Sequence, residues 1–437
     1  MSRPKPDSDN RRIIVDLSWP KGASVNHFTK KNIYLGTTYQ LKYPTVDCIT
    51  DHLCTLGKDA LIYKIDLARA FRQLPVDPYD YNLLTLKWKK GYFCDVYTPF
   101  GHSGGSLTCS RITGLFRYLA YKHGFTTYTY VDDVIGIGLP VVAKEGFSYM
   151  KNLLEELNFP ISTSKLVSPS EEAICLGIII NAKKQTLSIP QGKLQEIIEK
   201  CTDIIDKKSV TRRQFQSVLG SLMFIHKCVK SARIFTNRLL DSLRKSSSNF
   251  IHITEDIRKD LRWFLHFTPK FNGTTTFDHT PPPLANTIAI DASLHRLGGV
   301  WGDHVYSIEI PEEIKEKASI VHFEMINILV ALKIWAKRWQ HKYIRFLVDN
   351  EAVVTICGSS YTRDAKLAEY VRNIWLVTSL HDIKISVIHI AGKRNCTADL
   401  LSRWTDSKEQ HCKLKELVPD YSWEEIPTNI FHTNTDI

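Results

Sequence analysis

The alternation of apolar and polar positions divides the chain into blocks. ALIYKIDL (60–67) has the two-residue period of a strand, with Leu61, Tyr63, Ile65 and Leu67 on one face and Ile62, Lys64 and Asp66 on the other. TYTYVDDVIGIG (127–138) reads as two strands around a turn, and the apolar run CLGIIIN (175–181) as a buried strand. FSYMKNLLEELNF (147–159) has helical spacing, so the first part of the chain is an α+β mixture. From about 191 to 265 strands give way to helices, in KLQEIIEKCTDIID, TRRQFQSVLGSLMFIHKCV and ARIFTNRLLDSLRK. The Thr-, Pro- and Gly-rich stretch TPKFNGTTTFDHTPPPLAN (268–286) marks a linker. An α/β block follows: strand TIAIDAS, Gly-rich turn LGGVWG, helix VHFEMINILVALKIWAKRW and strands IRFLVDN and KISVIHI. Beyond Arg403 the pattern weakens, and 405–437 reads as a polar tail.

Length and charge narrow the class. A chain of 437 residues exceeds one core and predicts two or three domains. The net charge of +11 favours a polyanionic partner, nucleic acid above all. Arg212, Arg213, Lys227, Lys230, Arg233, Arg238, Arg244 and Lys245 cluster in the helical block, where they fit either a clamp on a phosphate backbone or ordinary solvated helix faces. No uncharged apolar run reaches the roughly 18 residues of a membrane span, and MSRPKPDSDNRR is no signal peptide, so the expectation is a cytoplasmic or nuclear protein without membrane contact. The ten cysteines form no C-x-x-C pair and read as reduced thiols.

Seven carboxylates carry the chemistry. Asp132 and Asp133 make a poor hairpin turn, since Asn-Gly or Asp-Gly would serve the twist better and two like charges adjoin. Asp66 ends a strand, where it could simply cap LARAF. If the two segments are neighbours, the three acids form an oxygen-rich site suited to Mg²⁺. Two such ions ~3.5–4 Å apart can activate a 3′-hydroxyl and stabilise a leaving pyrophosphate, which is polymerase chemistry. After the linker, Asp291, Glu324, Asp349 and Asp399 stand on strand, helix, strand and helix. Glu324 borders the apolar stripe of Val321, Met325, Ile328, Leu329, Leu332, Trp335 and Trp339, and so points toward the sheet.

The ordered series KIDLARAF, TPFGHSGGS, YVDD, KLVSP and CLGIII resembles reverse transcriptases, and RRIIVDLSWPKGASVN and SVLGSLMF resemble the long-terminal-repeat and DIRS-type retrotransposon branches. The D-E-D-D series, ending in HIAGKRNCTADLLSR, resembles ribonuclease H. Together the resemblance covers residues 11 to 404. It implies a right-hand polymerase followed by a ribonuclease H-like domain: fingers and palm over 1–189, a helical thumb over 190–266, a connection over 267–286 and the nuclease over 287–404. It further implies two Mg²⁺ ions per site, with Mn²⁺ as a substitute, bound by Asp66, Asp132 and Asp133 in one and by Asp291, Glu324, Asp349 and Asp399 in the other.

The same resemblance assigns Arg12 to the incoming triphosphate, Phe71 to the gate that rejects a 2′-hydroxyl, Gly101 to the loop beside the nucleotide, Lys165 to proton donation toward pyrophosphate, and Leu176 and Gly177 to the primer grip. His389 lies where a product-release histidine would be sought, and Asn350 and Asn395 are candidate contacts to the hybrid. The implied partners are an RNA template, a DNA primer, RNA/DNA hybrid and deoxynucleoside triphosphates. The Ser/Ala-Pro that usually follows the TPFG loop is replaced by Gly104, Gly105 and Ser106. That departure leaves a decayed or domesticated copy that binds nucleic acid without catalysis as the competing reading.

Overall fold

The computed structural model describes residues 2–431 apart from 6–7, 31, 35, 229–231, 271–273, 278–281 and 317, with the side chains of 2–5, 8–12, 34 and 270 also outside the description. The chain divides into two compact units, residues 1–187 with 276–278, and residues 188–275 with 279–437. Among the described residues, no helix is long and apolar enough to cross a membrane.

The first unit opens with the hairpin β1 (Ser2–Lys5) and β2 (Ser8–Ile13), followed by α1 (Val46–Leu56). Its central sheet is built from β3 (Leu61–Asp66), β6 (Thr126–Tyr130), β7 (Asp133–Gly138) and β8 (Val167–Ser170) in the order β8-β3-β7-β6, antiparallel throughout. Between β3 and β6 lie the isolated hairpin β4 (Thr85–Trp88) and β5 (Gly91–Cys94) and the helix α2 (Gly105–Lys122). Helix α3 (Pro140–Glu156) follows β7. The apolar face expected of β3 is the one that packs: Tyr63, Ile65 and Leu67 join Phe116, Ala120, Val134, Met150 and Leu154 in one buried cluster. This fixes the register, because a one-residue slip would turn that whole face outward.

CLGIIIN is not one strand. β9 (Glu172–Cys175) and β10 (Ile178–Asn181) form a hairpin, and Leu176 (φ +53°) and Gly177 (φ +82°) make its turn. Two consecutive positive φ values suit the twist of a two-residue hairpin loop.

In the second unit, four helices precede the sheet: α4 (Gln191–Ile205), α5 (Arg212–Ile225), α6 (Arg233–Lys245) and α7 (Glu255–Lys270). The helical block is not free of strands, since β11 (Ser209–Thr211) pairs with β12 (Phe250–His252). Some of its cations are structural. Arg238 clamps the buried Asp260 with two bonds of 2.8 and 2.6 Å, and Arg212 donates to the carbonyls of Ser246 and Leu243.

The six-stranded sheet of this unit runs β17-β16-β13-β14-β15-β18. Its strands are β13 (Thr287–Ala292), β14 (Arg296–Trp301), β15 (His304–Glu309), β16 (Tyr343–Val348), β17 (Lys384–His389) and β18 (Ser422–Trp423). The first three strands form an antiparallel meander, while β16 and β17 run parallel to β13. Helices α8 (Ile320–Trp335), α9 (Glu351–Ser359), α10 (Ala365–Leu380), α11 (Cys396–Ser402) and α12 (Lys408–Leu417) complete the unit.

Two expectations fail here for tertiary reasons. Of LGGVWG, residues 297–301 lie in strand β14 and only Gly302 is in the turn that follows: α11 crosses Gly298 and the Tyr306 ring covers Gly299, so both positions need bare backbone. The segment after 405 is folded up to 431. α12 packs through Leu414, β18 adds a strand parallel to β15, and the side chain of Glu424 accepts two bonds from Arg338, of 2.6 and 3.0 Å.

Candidate active sites

In the first unit, β3 and the β6–β7 turn bring the three expected acids together. Asp66 faces Asp133 across the β3–β7 ladder, and Leu67 N–H donates to the Asp132 carbonyl at 3.0 Å. The awkwardness of the turn falls on Val131, whose φ of +55° is rare for a β-branched residue. Thr113 on α2 donates its hydroxyl to the Val131 carbonyl at 3.0 Å, which holds the strained turn from below.

The charges are distributed unevenly. Lys165 Nζ sits 3.0 Å from both oxygens of Asp66, and Lys64 Nζ 3.0 Å from Asp133 Oδ1. Among the described residues no lysine or arginine is within ion-pair reach of Asp132, whose carboxyl is raised above the usual range by burial and then by the charge of Asp66. Asp133 is pushed up to about 6 by burial, against the pull of Lys64. Lys64 was not among the residues picked from sequence; its place two positions before Asp66, on the same strand face, was the available signal.

The other first-unit candidates fall on the surrounding framework. Phe71 lies on a short 3₁₀ turn, edge-on to Phe100 at 5.5 Å between ring centres. Gly101 has φ +114°, and a Cβ there would stand 2.0 Å from the Val15 carbonyl oxygen. Only glycine fits, and the close approach that requires it is to the chain's own backbone. Asn26 clips the same loop by donating to the Gly101 carbonyl and accepting from Ser103 N–H, each at 2.8 Å. Arg12 lies on β2 opposite Arg3, and its side chain is outside the described residues.

The second unit gathers a tighter site. Ligand oxygens of Asp291, Glu324 and Asp349 all lie within 4.8 Å of one another, the one such carboxylate set among the described residues. Asp291 is on β13, Asp349 follows β16, and α8 delivers Glu324 between them. This helix is apolar on nearly every side and is correspondingly buried all round, so Glu324 is only 1% exposed. Its Oε1 accepts from Ala292 N–H at 3.0 Å, while its Oε2 has no hydrogen-bond partner. Burial, then Asp291 and Asp349, push the Glu324 carboxyl up to about 9; burial pushes Asp291 up to about 6. An orphaned buried carboxylate oxygen beside two more acids fits a hard divalent cation, which takes oxygen ligands and removes the repulsion. Asp399 lines the same cavity of about 360 Å³ but turns toward solvent, pairing with Arg403 at 2.9 Å.

Several positioning residues escaped the sequence reading. Ser402, fully buried, donates to Asp291 Oδ2 at 2.5 Å. Asn327, one turn beyond Glu324, donates to the carbonyls of Asp291 and Gly298 and accepts from Tyr306 at 2.6 Å. A polar residue inside MINILVAL was the signal, because a buried amide needs partners. Asn395 is 2% exposed and donates to the Ile290 carbonyl. Asn350 caps α9 by accepting from Ala352 N–H. His389 ends β17, paired with Val348.

Known proteins resemble parts or most of this chain. Residues 4–180 match the reverse transcriptase (RNA-dependent DNA polymerase) family. Over 98% of its length the chain is 22% identical to the retrovirus-related Pol polyprotein from transposon 297 of Drosophila melanogaster, and it spans only 37% of that polyprotein. Among solved structures it is similar to a foamy viral protease-reverse transcriptase in complex with double-stranded DNA, at 15% identity and a TM-score of 0.49, over 89% of this chain and 64% of that one. A complex of the foamy viral protein with RNA/DNA hybrid aligns at 15% identity and a TM-score of 0.42, over 89% and 49% of the two chains. The first unit therefore carries a reverse-transcriptase-like domain, and the second an α/β domain bearing a carboxylate triad.

Proposed function

We propose that the chain is an RNA-directed DNA polymerase of retroelement type that also cleaves the RNA strand of RNA/DNA hybrids. The observation that carries this reading is the pairing, in one chain, of a reverse-transcriptase match containing Asp66, Asp132 and Asp133 with the Asp291–Glu324–Asp349 cluster and its orphaned oxygen. Asp66 and Asp132 would be the principal Mg²⁺ ligands in the first unit, with Asp133 held aside by Lys64. In the second unit Asp291, Glu324 and Asp349 would hold the metal, with Asp399 closing the cavity. When bound, a pair of divalent ions supplies Lewis acidity to the attacking and departing oxygens.

The chain's own groups do the rest. The Phe71 ring would exclude a 2′-hydroxyl, which selects deoxynucleotides. Lys165 is a half-exposed ammonium 3.0 Å from Asp66, suited to donate a proton to departing pyrophosphate. The turn of Leu176 and Gly177 presents backbone for the primer end, and Arg12 would meet the triphosphate. Ser402 and Asn327 keep Asp291 in place for the nuclease.

The test is Mg²⁺-dependent extension of oligo(dT) on poly(rA), run beside cleavage of a labelled hybrid. Asp132→Asn should abolish extension and spare cleavage, and Asp349→Asn should do the reverse. Loss of both activities in either variant would defeat the assignment of two independent sites. Retention of the hybrid with no extension by the wild type would identify a binding protein instead.

A further inference from the structure

Strand β6 stands at the outside of its four-stranded sheet, paired with β7 on one edge and, among the described residues, with no strand on the other. An open edge carries backbone N–H and C=O groups that a second chain can pair with. Beside it lies a cavity of about 700 Å³, lined by Thr126 to Thr129, by the segment 39–43 and by helix α2. Two details of that lining are unexplained by the fold. Thr127 is 6% exposed, yet its hydroxyl has no hydrogen-bond partner. Gly114 lies in the middle of α2, where glycine weakens a helix. No close contact demands it, because a Cβ there would meet nothing within 4 Å. Bare backbone facing a cavity suits the close approach of another main chain.

The side chains of the cavity define what it can receive. Lys42, Arg111 and Arg117 bring positive charge, and no carboxylate is among the lining residues. Tyr39 and Tyr43 add aromatic surface: the Arg111 guanidinium stands 5.9 Å from the centre of the Tyr39 ring, and Ser110 donates to the Tyr43 hydroxyl at 3.5 Å. Tyrosine and arginine are enriched where proteins meet. A polynucleotide would meet the cations and the rings, but it has no peptide groups to pair with a strand edge. We propose that the groove beside β6 docks an extended acidic segment of a partner protein, which adds a strand to the sheet and sets its carboxylates against Lys42, Arg111 and Arg117. Main-chain hydrogen bonds then hold the segment, while its alternate side chains give specificity. The orphaned Thr127 hydroxyl gains a polar group to bond. This role does not depend on the polymerase or nuclease reading.

The full chain is panned against a library of random octapeptides, and the selected peptides are titrated by fluorescence anisotropy. Enriched sequences should be rich in Asp and Glu. Gly114→Leu fills the cavity, and Lys42→Glu/Arg117→Glu reverses its charge; each should weaken binding by about 10-fold or more. Gly114→Leu should not lower the melting temperature, since leucine is the better helix former and meets no clash. N-methylation of alternate peptide bonds in a selected peptide should abolish binding in one phase and spare it in the other, because only every second residue faces the β6 edge. The proposal falls if no acidic sequence is enriched, if Gly114→Leu binds the selected peptides as the wild type does, or if the two N-methylated series behave alike. Self-association of the chain that is lost in Gly114→Leu would overturn it in favour of a second copy. A uridine oligomer that binds more tightly than the peptides, and is lost in the same variant, would overturn it in favour of nucleic acid.

Discussion

Gly298→Ala tests how the nuclease-type site is assembled. Gly298 lies on β14 directly across from Asp291, and α11 crosses above it. A Cβ at this position would stand 2.4 Å from Ser402 N and 2.7 Å from the Ala398 carbonyl oxygen. Both are backbone atoms, so no side-chain rotation relieves the clash. To restore an ordinary carbon contact, α11 must recede by about 1 Å, and overpacking of this kind costs ~1–3 kcal/mol. In a unit of this size that lowers the melting temperature by ~2–10 °C.

The functional consequence exceeds the loss of stability. α11 carries both Ser402, whose hydroxyl lies 2.5 Å from Asp291 Oδ2, and Asp399, on the rim of the cavity. Moving the helix by that distance separates both from Asp291, and misplacement of ~1 Å commonly costs ~10²-fold in rate. Hybrid cleavage by the full-length variant should therefore fall about 100-fold, while primer extension in the same preparation is unchanged because its acids lie in the other unit. A variant that melts within a degree of the wild type and cleaves at the same rate would refute the close packing on which the site is built.

Other perturbations separate the remaining roles. Ser402→Ala removes a bond to a charged acceptor worth ~1.5–3 kcal/mol, so Mn²⁺ affinity of the nuclease-type site, followed by electron paramagnetic resonance, should fall about 10-fold or more while Ser402→Thr recovers part of it; unchanged Mn²⁺ binding would remove Ser402 from the site. Phe71→Ala should raise incorporation of ribonucleotides relative to deoxynucleotides by roughly 10-fold or more, checked by competition in primer extension, and unchanged discrimination would place the gate elsewhere. Burial pushes the His226 imidazole down to about 4 from an ordinary 6.5, so the unfolded chain takes up its proton first as pH falls. The His226 contribution to stability is then complete above pH 6.5 and disappears as pH drops toward 4, a loss of at most ~3 kcal/mol. Denaturant titrations should show His226→Gln with a flatter acid limb than the wild type, and identical limbs would contradict the burial of this ring.

What the sequence reveals depends on whether a local pattern or a distant contact decides the structure. β3 and β7 were legible because their alternation also sets the packed face, whereas Asp66, Asp132 and Asp133 each had a local reading as cap or turn, and only the assumption that their segments are neighbours, together with the family resemblance, joined them. Asp291, Glu324 and Asp349 were grouped through the resemblance of the D-E-D-D series, and the structure brings these three together while Asp399 stands at the rim. LGGVWG was misread because its glycines answer to α11 and to the Tyr306 ring, neither of which is adjacent in sequence. The apolar pattern of CLGIIIN gave no sign of a turn because its signal is a left-handed leucine rather than Asn-Gly; the family resemblance alone pointed to a turn at Leu176 and Gly177. The segment after 405 gave little periodicity because α12 buries one residue, Leu414, and its second anchor, Glu424, reads as a surface charge until Arg338 comes to meet it.

The least legible property is the charge state of each acid. All seven carboxylates look alike in sequence, yet Asp66 and Asp133 each have an ammonium 3.0 Å away, whereas Glu324 has only other acids and a backbone N–H. A carboxylate beside a lysine has a counter-charge from the chain itself. One buried among like charges must either bind a proton or gain a cation from outside. The first arrangement draws its counter-charge from an exposed side chain, Lys165, whereas Arg403, which lines the second cavity, pairs with Asp399 at its rim. That difference accounts for the distribution of buried supports among the described residues, with Ser402, Asn327 and Tyr306 around Asp291 and no equivalent around Asp66, whose side chain is held by the lysine itself.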